Sequence, residues 1–240
     1  MNFYNKGMQK KSVLFLSCEH ASNAVPEFLK AYFKSKDAKA ILKTHRGYDI
    51  GAGDVFWELA KIVRTSYAIQ GAYTRLAIDL NRNTNKNHRY SEFTEDASES
   101  EKERLEGYWD GFRDAFLGAV KAELSKKNPS QIVHLSIHSF TPELDGKVRN
   151  ADIGILYDPS RKKEAAYAKA FKKNLETYCP ELRVRFNYPY TGKNDGHATA
   201  LRKLYSDADY LGFEIEFNQG MLVHSNPEDV AQLIAESLPE

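Results

Sequence analysis

Short apolar runs alternate along this chain with longer segments whose apolar residues recur every three or four positions, and that alternation constrains the fold more than any other feature. Strand-like runs at Val13–Ser17, Tyr67–Gln70, Leu76–Leu80, Ile132–His138, Asp152–Asp158, Arg183–Asn187 and Leu211–Phe217 are separated by helix-period segments. The helical pattern covers Gly51–Val63, Ser98–Lys127, Arg161–Tyr178 and Glu228–Leu238. Strands that take turns with helices predict an α/β fold around a largely parallel sheet. In the longest helical segment Leu105, Tyr108, Trp109, Phe112, Phe116 and Val120 mark the buried face. The acid-rich stretch Glu92–Glu106 reads as a solvated helix start rather than a metal site. No repeat, low-complexity tract or linker divides the 240 residues, so one domain over 1–240 is the simplest organisation.

Composition excludes several classes of function. The 34 Lys and Arg against 33 Asp and Glu leave a formal charge of +1. A protein that works through a global positive field is excluded, and the basic residues are dispersed, so no nucleic-acid partner is expected. Cys18 and Cys179 are too few for a disulfide framework and form no CxxC pair. Two free thiols fit a reducing, cytoplasmic setting. Lys6, Lys10 and Lys11 ahead of Val13-Leu14-Phe15-Leu16-Ser17-Cys18 have the outline of a signal sequence, but Glu19-His20 follow at once. A buried first strand explains that run better, and no segment has the ~18 consecutive apolar residues of a membrane span.

Ligands of open α/β sheets bind beyond the carboxyl ends of the strands, and four predicted strand ends carry side chains that a core would not choose. Glu19, His20 and Asn23 follow the first run. Asn81 and Arg82 follow Leu76–Leu80, and the Ile132 run ends in His138-Ser139. The Leu211 run contains Glu214 and Glu216 ahead of Asn218-Gln219, and Thr44-His45-Arg46-Gly47-Tyr48-Asp49 lies between the first two sites. A catalytic zinc takes three protein ligands, usually His and carboxylate, and keeps one position open. His20 and His138 fit such a site, with Asp49, Glu19 and Asn23 as candidates for the third ligand. Each histidine taken alone reads more often as a structural residue than as a metal ligand.

Glu214 and Glu216 share one strand face, opposite Phe213, Ile215 and Phe217. They suit a general base, or else a solvent-facing stripe on an edge strand. Arg75 and Arg82 suit a carboxylate clamp and a carbonyl-polarising group, or else two surface arginines. Asp79 beside them reads as a residue that orients an arginine. Tyr190–His197 is a turn-rich loop in which Lys193, Asn194, Asp195 and His197 face a ligand or only solvent. It contains no P-loop pattern.

Together these motifs resemble one family. Cys18-Glu19-His20-Ala21-Ser22-Asn23-Ala24-Val25-Pro26, His45–Ala52, Asp79-Leu80-Asn81-Arg82, Ser136–Pro142 and the Tyr190–His197 loop are similar, in order, to N-formylglutamate amidohydrolases. That family is in turn similar to zinc carboxypeptidases and acyl-amino-acid deacylases. The resemblance implies a three-layer α/β/α fold of the phosphorylase/hydrolase type, with a mixed, largely parallel sheet. It also implies Zn²⁺, or another divalent transition metal, held by His20, Asp49 and His138, with Glu19 a further candidate. Where the carboxypeptidase pattern has a Glu three residues after the first His, this chain has Asn23, and an Asp at the place of Asp49 is a feature of the wider family. Glu214 and Glu216 both fit the base position, and Ile215-Glu216 ahead of Asn218-Gln219 favours Glu216.

By the same resemblance Arg75 stabilises the oxyanion, and Asn81-Arg82 clamp the α-carboxylate. Ser139, Asn194 and His197 contact substrate, and Lys193 or Arg149 meets a side-chain carboxylate. The implied reaction releases an acyl group from a small anionic N-acyl amino acid, N-formyl-L-glutamate first among them. A non-catalytic binding relative, prompted by Asn23, and a carboxypeptidase acting on peptides are the alternatives. The expected molecule is a monomer or small homo-oligomer without nucleic-acid or membrane partners.

Overall fold

The computed structural model describes residues 11–83 and 86–239. Lys6 and Lys10 lie outside the described residues, as do positions 84 and 85 of the Asn-rich loop. The strands are β1 (Ser12–Cys18), β2 (Thr65–Gln70), β3 (Gln131–Phe140), β4 (Glu143–Leu144), β5 (Lys147–Val148), β6 (Ile153–Leu156), β7 (Val184–Phe186) and β8 (Tyr210–Asn218). The helices are α1 (Lys36–Ile41), α2 (Ala52–Ile62), α3 (Glu99–Leu124), α4 (Lys162–Tyr178), α5 (His197–Arg202), α6 (Gln219–Leu222) and α7 (Pro227–Ser237).

Six strands form one mixed sheet in the order β2-β1-β3-β8-β6-β7, and β4 and β5 form a separate hairpin. All neighbours in the large sheet run parallel except β6 and β8, which are antiparallel. Helices cover both faces, as the alternation of the sequence requires. On one side Leu16, Leu135, Ile137, Phe213, Ile215 and Phe217 pack with Val55 and Leu59 of α2, Phe171 of α4 and Ile234 of α7. On the other, Phe15, Ile132 and Tyr210 meet Phe116 and Val120 of α3 and Leu201 of α5. No helix among the described residues is long and apolar enough to cross a membrane.

Local chemistry sets the element boundaries. Ser98 and Glu101 form a reciprocal capping box at the start of α3, so the acidic stretch is the helix start that the sequence predicts. Gly51 caps α2 with φ +79°, a conformation that glycine adopts without strain.

The predicted strand at Leu76–Leu80 is not a strand. Leu76, Ala77, Ile78 and Leu80 are buried in a third apolar cluster with Leu105, Trp109 and Phe112 of α3. Their backbone groups are satisfied by other means: Arg113 Nη2 donates to Leu80 O (2.8 Å), Thr94 Oγ1 to Ala77 O (3.0 Å), and Asp79 N to Arg89 O (2.8 Å). An apolar run that satisfies its backbone on side chains and a loop carbonyl has no need of a ladder partner. Glu214 and Glu216 are likewise not on an edge strand, because β8 lies between β3 and β6.

Candidate metal centre

The polar residues gather at the carboxyl ends of β1, β3 and β8, where an open α/β sheet places its ligands. His20 follows β1, and His138 and Glu216 sit near the ends of β3 and β8, paired in register. Asp49 arrives on the loop before α2, and its N–H donates to His20 O (2.9 Å), which locks the two loops together. The alternation of strand side chains separates the faces. His134, Ser136 and His138 of β3 and Glu214 and Glu216 of β8 share one face, and Leu135, Ile137, Ile215 and Phe217 fill the core on the other.

His20, Asp49 and His138 are all buried, and one ligand atom from each lies within 4.8 Å of the others. His138 Nδ1 is 2.8 Å from Asp49 Oδ2. His20 Nδ1 lies 3.6 Å from the same oxygen and is buried with no hydrogen-bond partner, while its Nε2 is 2.7 Å from Asp79 Oδ1. Two imidazole nitrogens and a carboxylate oxygen converge where a buried nitrogen is otherwise orphaned, and this donor set fits a zinc-like divalent cation. The remaining oxygen of Asp49, Oδ1, is 3.0 Å from Arg75 Nη2. A cavity of about 160 Å³ opens above the triad, lined also by Arg75, Asp79, Asn81, Arg82, Ser139, Tyr190, Asn194, Asp195, Glu214 and Glu216.

The sequence matches the model of the N-formylglutamate amidohydrolase family over residues 12–223. The chain belongs to that hydrolase family. No curated protein matches it in sequence. Among solved structures it is similar to the gene product Atu2144 from Agrobacterium tumefaciens, at 24% identity and a TM-score of 0.73, over 95% of this chain and 91% of that one. It is also similar to N-formylglutamate amidohydrolase from Ralstonia eutropha JMP134, at 12% identity and a TM-score of 0.63, over 94% of this chain and 92% of that one. These likenesses support the α/β fold.

Around this cavity the residues singled out in the sequence fall into two groups. Arg75, Asn81, Arg82, Ser139, Asn194, Glu214 and Glu216 line the cavity with the triad. Asn81 Oδ1 accepts from His197 N (2.7 Å), so its amide NH₂ remains as the donor for a ligand. Arg82 Nη1 reaches Asp195 O (3.3 Å), which ties the Asn81 loop to the Tyr190–His197 loop. Ser139 Oγ donates to Ile50 O (2.8 Å), which fixes the approach to α2.

Glu19, His197, Lys193 and Arg149 do not line the cavity. Glu19 lies beneath it, bonded by Ser17, Ser136 and His197. His197 faces inward against Phe116, with Nδ1 2.8 Å from Glu19 Oε1. Lys193 is exposed and pairs with Asp158 (3.4 Å). Arg149 stacks over Tyr190, 5.2 Å from the ring centre. Asn23 does not line the cavity either.

Two features escaped the sequence reading. Asp79 pairs with His20 instead of serving only to orient an arginine. His134 joins Glu19 and His197 in a second buried cluster. The signal for it lay in His134-Leu135-Ser136-Ile137-His138, whose strict alternation marks one polar strand face.

Burial and charge set the protonation states. Burial raises the Glu216 carboxyl to about 8; Asp49 and Glu214 add to the shift, and His138 and Arg75 oppose it. Glu216 Oε2 is buried without a partner. Burial also raises Glu214. For His138, burial works against the charged form, but the hydrogen bonds to Asp49 and Glu19 outweigh it and raise the imidazole well above its usual range. Below the cavity burial wins: His134 is held well below the usual range and His197 falls to about 4.

Proposed function

We propose that this chain hydrolyses the amide of a small N-acyl amino acid in a metal-dependent reaction, with N-formyl-L-glutamate as the reference substrate. The observation that carries the reading is the orphaned, buried His20 Nδ1 turned toward Asp49 and His138, beside a buried Glu216 with an unpartnered oxygen. His20, Asp49 and His138 would hold Zn²⁺ or a similar ion. When bound, such an ion supplies Lewis acidity, which makes water more acidic and an amide carbonyl more electrophilic.

The chain's own residues supply the rest. Glu216 takes the proton of the attacking water and delivers it to the leaving nitrogen, so that a carboxylate and a free amine are released. A carboxyl group raised toward neutrality is suited to both transfers. Arg75 lines the cavity with a buried, unpartnered Nε–H, a fixed donor for the negative charge that develops on the carbonyl oxygen. Asn81, through its free NH₂, and Arg82 hold the α-carboxylate. The small volume of the cavity favours a single amino acid over a peptide. Asn23, which prompted the non-catalytic alternative, has no part in this site.

The test is a panel of N-formyl, N-acetyl and N-succinyl amino acids, each followed by release of free amine. Turnover of N-formyl-L-glutamate above the others supports the reading. Absence of amine release from every member, with the ion bound, contradicts it.

A further inference from the structure

We propose that Glu19 and Asp79 are positioning carboxylates that fix both histidines as Nδ1 ligands, and that the chain Tyr210–His134–Ser17 holds Glu19 in place for this task. The proposal rests on the metal reading given above.

Proton counting across the buried bonds carries it. Ser136 has one hydroxyl proton, which it donates to Glu19 Oε2 (2.6 Å). Its oxygen, 2.8 Å from His138 Nε2, must therefore accept, and Nε2 must carry the hydrogen. Glu19 Oε2 lies 3.3 Å from that same nitrogen and reinforces the choice. The nitrogen left to face Asp49 Oδ2 (2.8 Å) is Nδ1, which meets that carboxylate through a proton in the ion-free protein and would meet a cation through its lone pair. His20 follows the same pattern: Asp79 Oδ1, 2.7 Å away, is an acceptor, so Nε2 carries the hydrogen and Nδ1 is left with no partner.

Glu19 is itself fixed from the other side. Ser17 donates its proton to Glu19 Oε1 (2.7 Å) and so accepts from His134 Nε2 (2.7 Å). His134 Nδ1 then accepts from the Tyr210 hydroxyl (2.7 Å). His197 Nδ1 supplies a further donor to Oε1 (2.8 Å). Each step fixes the next, from Tyr210 on β8 to His138 at the cavity. The cluster Glu19–His134–His197 has the composition of a metal site, but none of its side-chain atoms is buried without a partner. Its geometry serves the site above it.

The experiment measures zinc affinity by competition with a chromogenic chelator for the wild type, Glu19→Gln, Asp79→Asn and Ser136→Ala, alongside circular dichroism. Long-range ¹H–¹⁵N correlation of the histidine rings in the zinc-loaded proteins reports the tautomers, which a purely structural role would not move. The expected result is Nε2–H with a metal-bound Nδ1 for both ligands in the wild type. Zinc binding weakens about 10- to 100-fold in Glu19→Gln and Asp79→Asn, and mixed tautomers appear for the histidine that has lost its partner. If Glu19→Gln does not fold, Asp79→Asn and Ser136→Ala decide the matter, since both act on the same two Nε2–H groups. Folded variants that bind zinc as tightly as the wild type, or ligation through Nε2, overturn the positioning role alone. A wild type that takes up no zinc overturns the metal reading and this proposal together.

Discussion

Among the described residues, two buried clusters have the same composition, two histidines and one carboxylate, with one ligand atom of each residue within 4.8 Å of the others. They are His20, Asp49 and His138 at the cavity, and Glu19, His134 and His197 beneath it. Hydrogen-bond accounting separates them. In the lower cluster no side-chain atom is buried without a partner, and burial keeps both imidazoles neutral. In the upper cluster His20 Nδ1 is orphaned and His138 Nδ1 faces a carboxylate oxygen. A buried polar group without a partner costs free energy, so its presence at the upper site marks the place for a ligand. The lower cluster has already spent its bonding capacity on protein. Residue type alone cannot make this distinction, and proximity alone cannot either.

The largest effect should come from exchanging damage between the clusters. His20→Ala is expected to lose stoichiometric zinc while keeping its fold, whereas His197→Ala should retain zinc and lose stability, by about 2–4 kcal/mol for a truncated buried side chain with its bond to Glu19 broken. Metal content by atomic emission and urea denaturation read the two outcomes. Zinc lost equally in both, or in neither, would erase the difference between the clusters.

Glu216→Gln comes next. Its turnover should fall by about 10²–10⁴-fold, the usual contribution of a proton-transfer group, with zinc content unchanged. Its stability should move in the opposite direction. In the ion-free protein the folded carboxyl titrates near 8 and the unfolded one near the ordinary 4.5, so the folded form keeps a proton that the unfolded form has lost. Stability therefore falls as pH rises between those values. Glu216→Gln removes that penalty, and ion-free thermal melts should show the variant gaining on the wild type by up to a few kcal/mol at pH 8 and matching it near pH 4. A variant less stable at pH 8 would mean that Glu216 is not a protonated buried acid.

The upper cluster should also respond to pH where the lower one does not. His138 is raised well above its usual range, so below that value the ion must displace a proton from it. Zinc affinity should rise with pH by about tenfold per unit in that range and then level off. Affinity that is flat from pH 5 to 8 would contradict the assignment of His138. The smallest effects concern the rim. Arg82→Ala should raise KM by about 10- to 100-fold, as expected for a lost charge-assisted bond, and Lys193→Ala should change it less than about twofold, because its ammonium is exposed and paired with Asp158. The reverse order would place the substrate on the other side of the cavity.

The same contrast explains what was legible in the sequence. Apolar runs such as Val13–Ser17 and Leu211–Phe217 reveal strands because their side chains face a helix layer. Leu76–Leu80 has the same composition but buries it in a loop, since its carbonyls are met by Thr94 and Arg113, residues far away in the chain. His20, His138 and Glu216 were legible as cavity residues because strand ends expose residues that a core rejects, whereas Asp49, on the loop before α2, was picked out through the family resemblance. The supporting network was not. Glu19 looks like a cavity residue from its place after β1, yet it turns beneath the site while His20, the next residue in the chain, lines it. Its partners come from β3, α5 and, through His134, β8. That convergence exists only in three dimensions, although the alternation His134-Leu135-Ser136-Ile137-His138 is a local trace of it.

The most direct measurement is hydrolysis of N-formyl-L-glutamate by protein stripped with a strong chelator and then titrated with Zn²⁺. Amine release should be lost on stripping and return in proportion to zinc, reaching its plateau at one ion per chain, with His20→Ala failing to recover. Full hydrolysis by the stripped protein would contradict a metal centre at His20, Asp49 and His138.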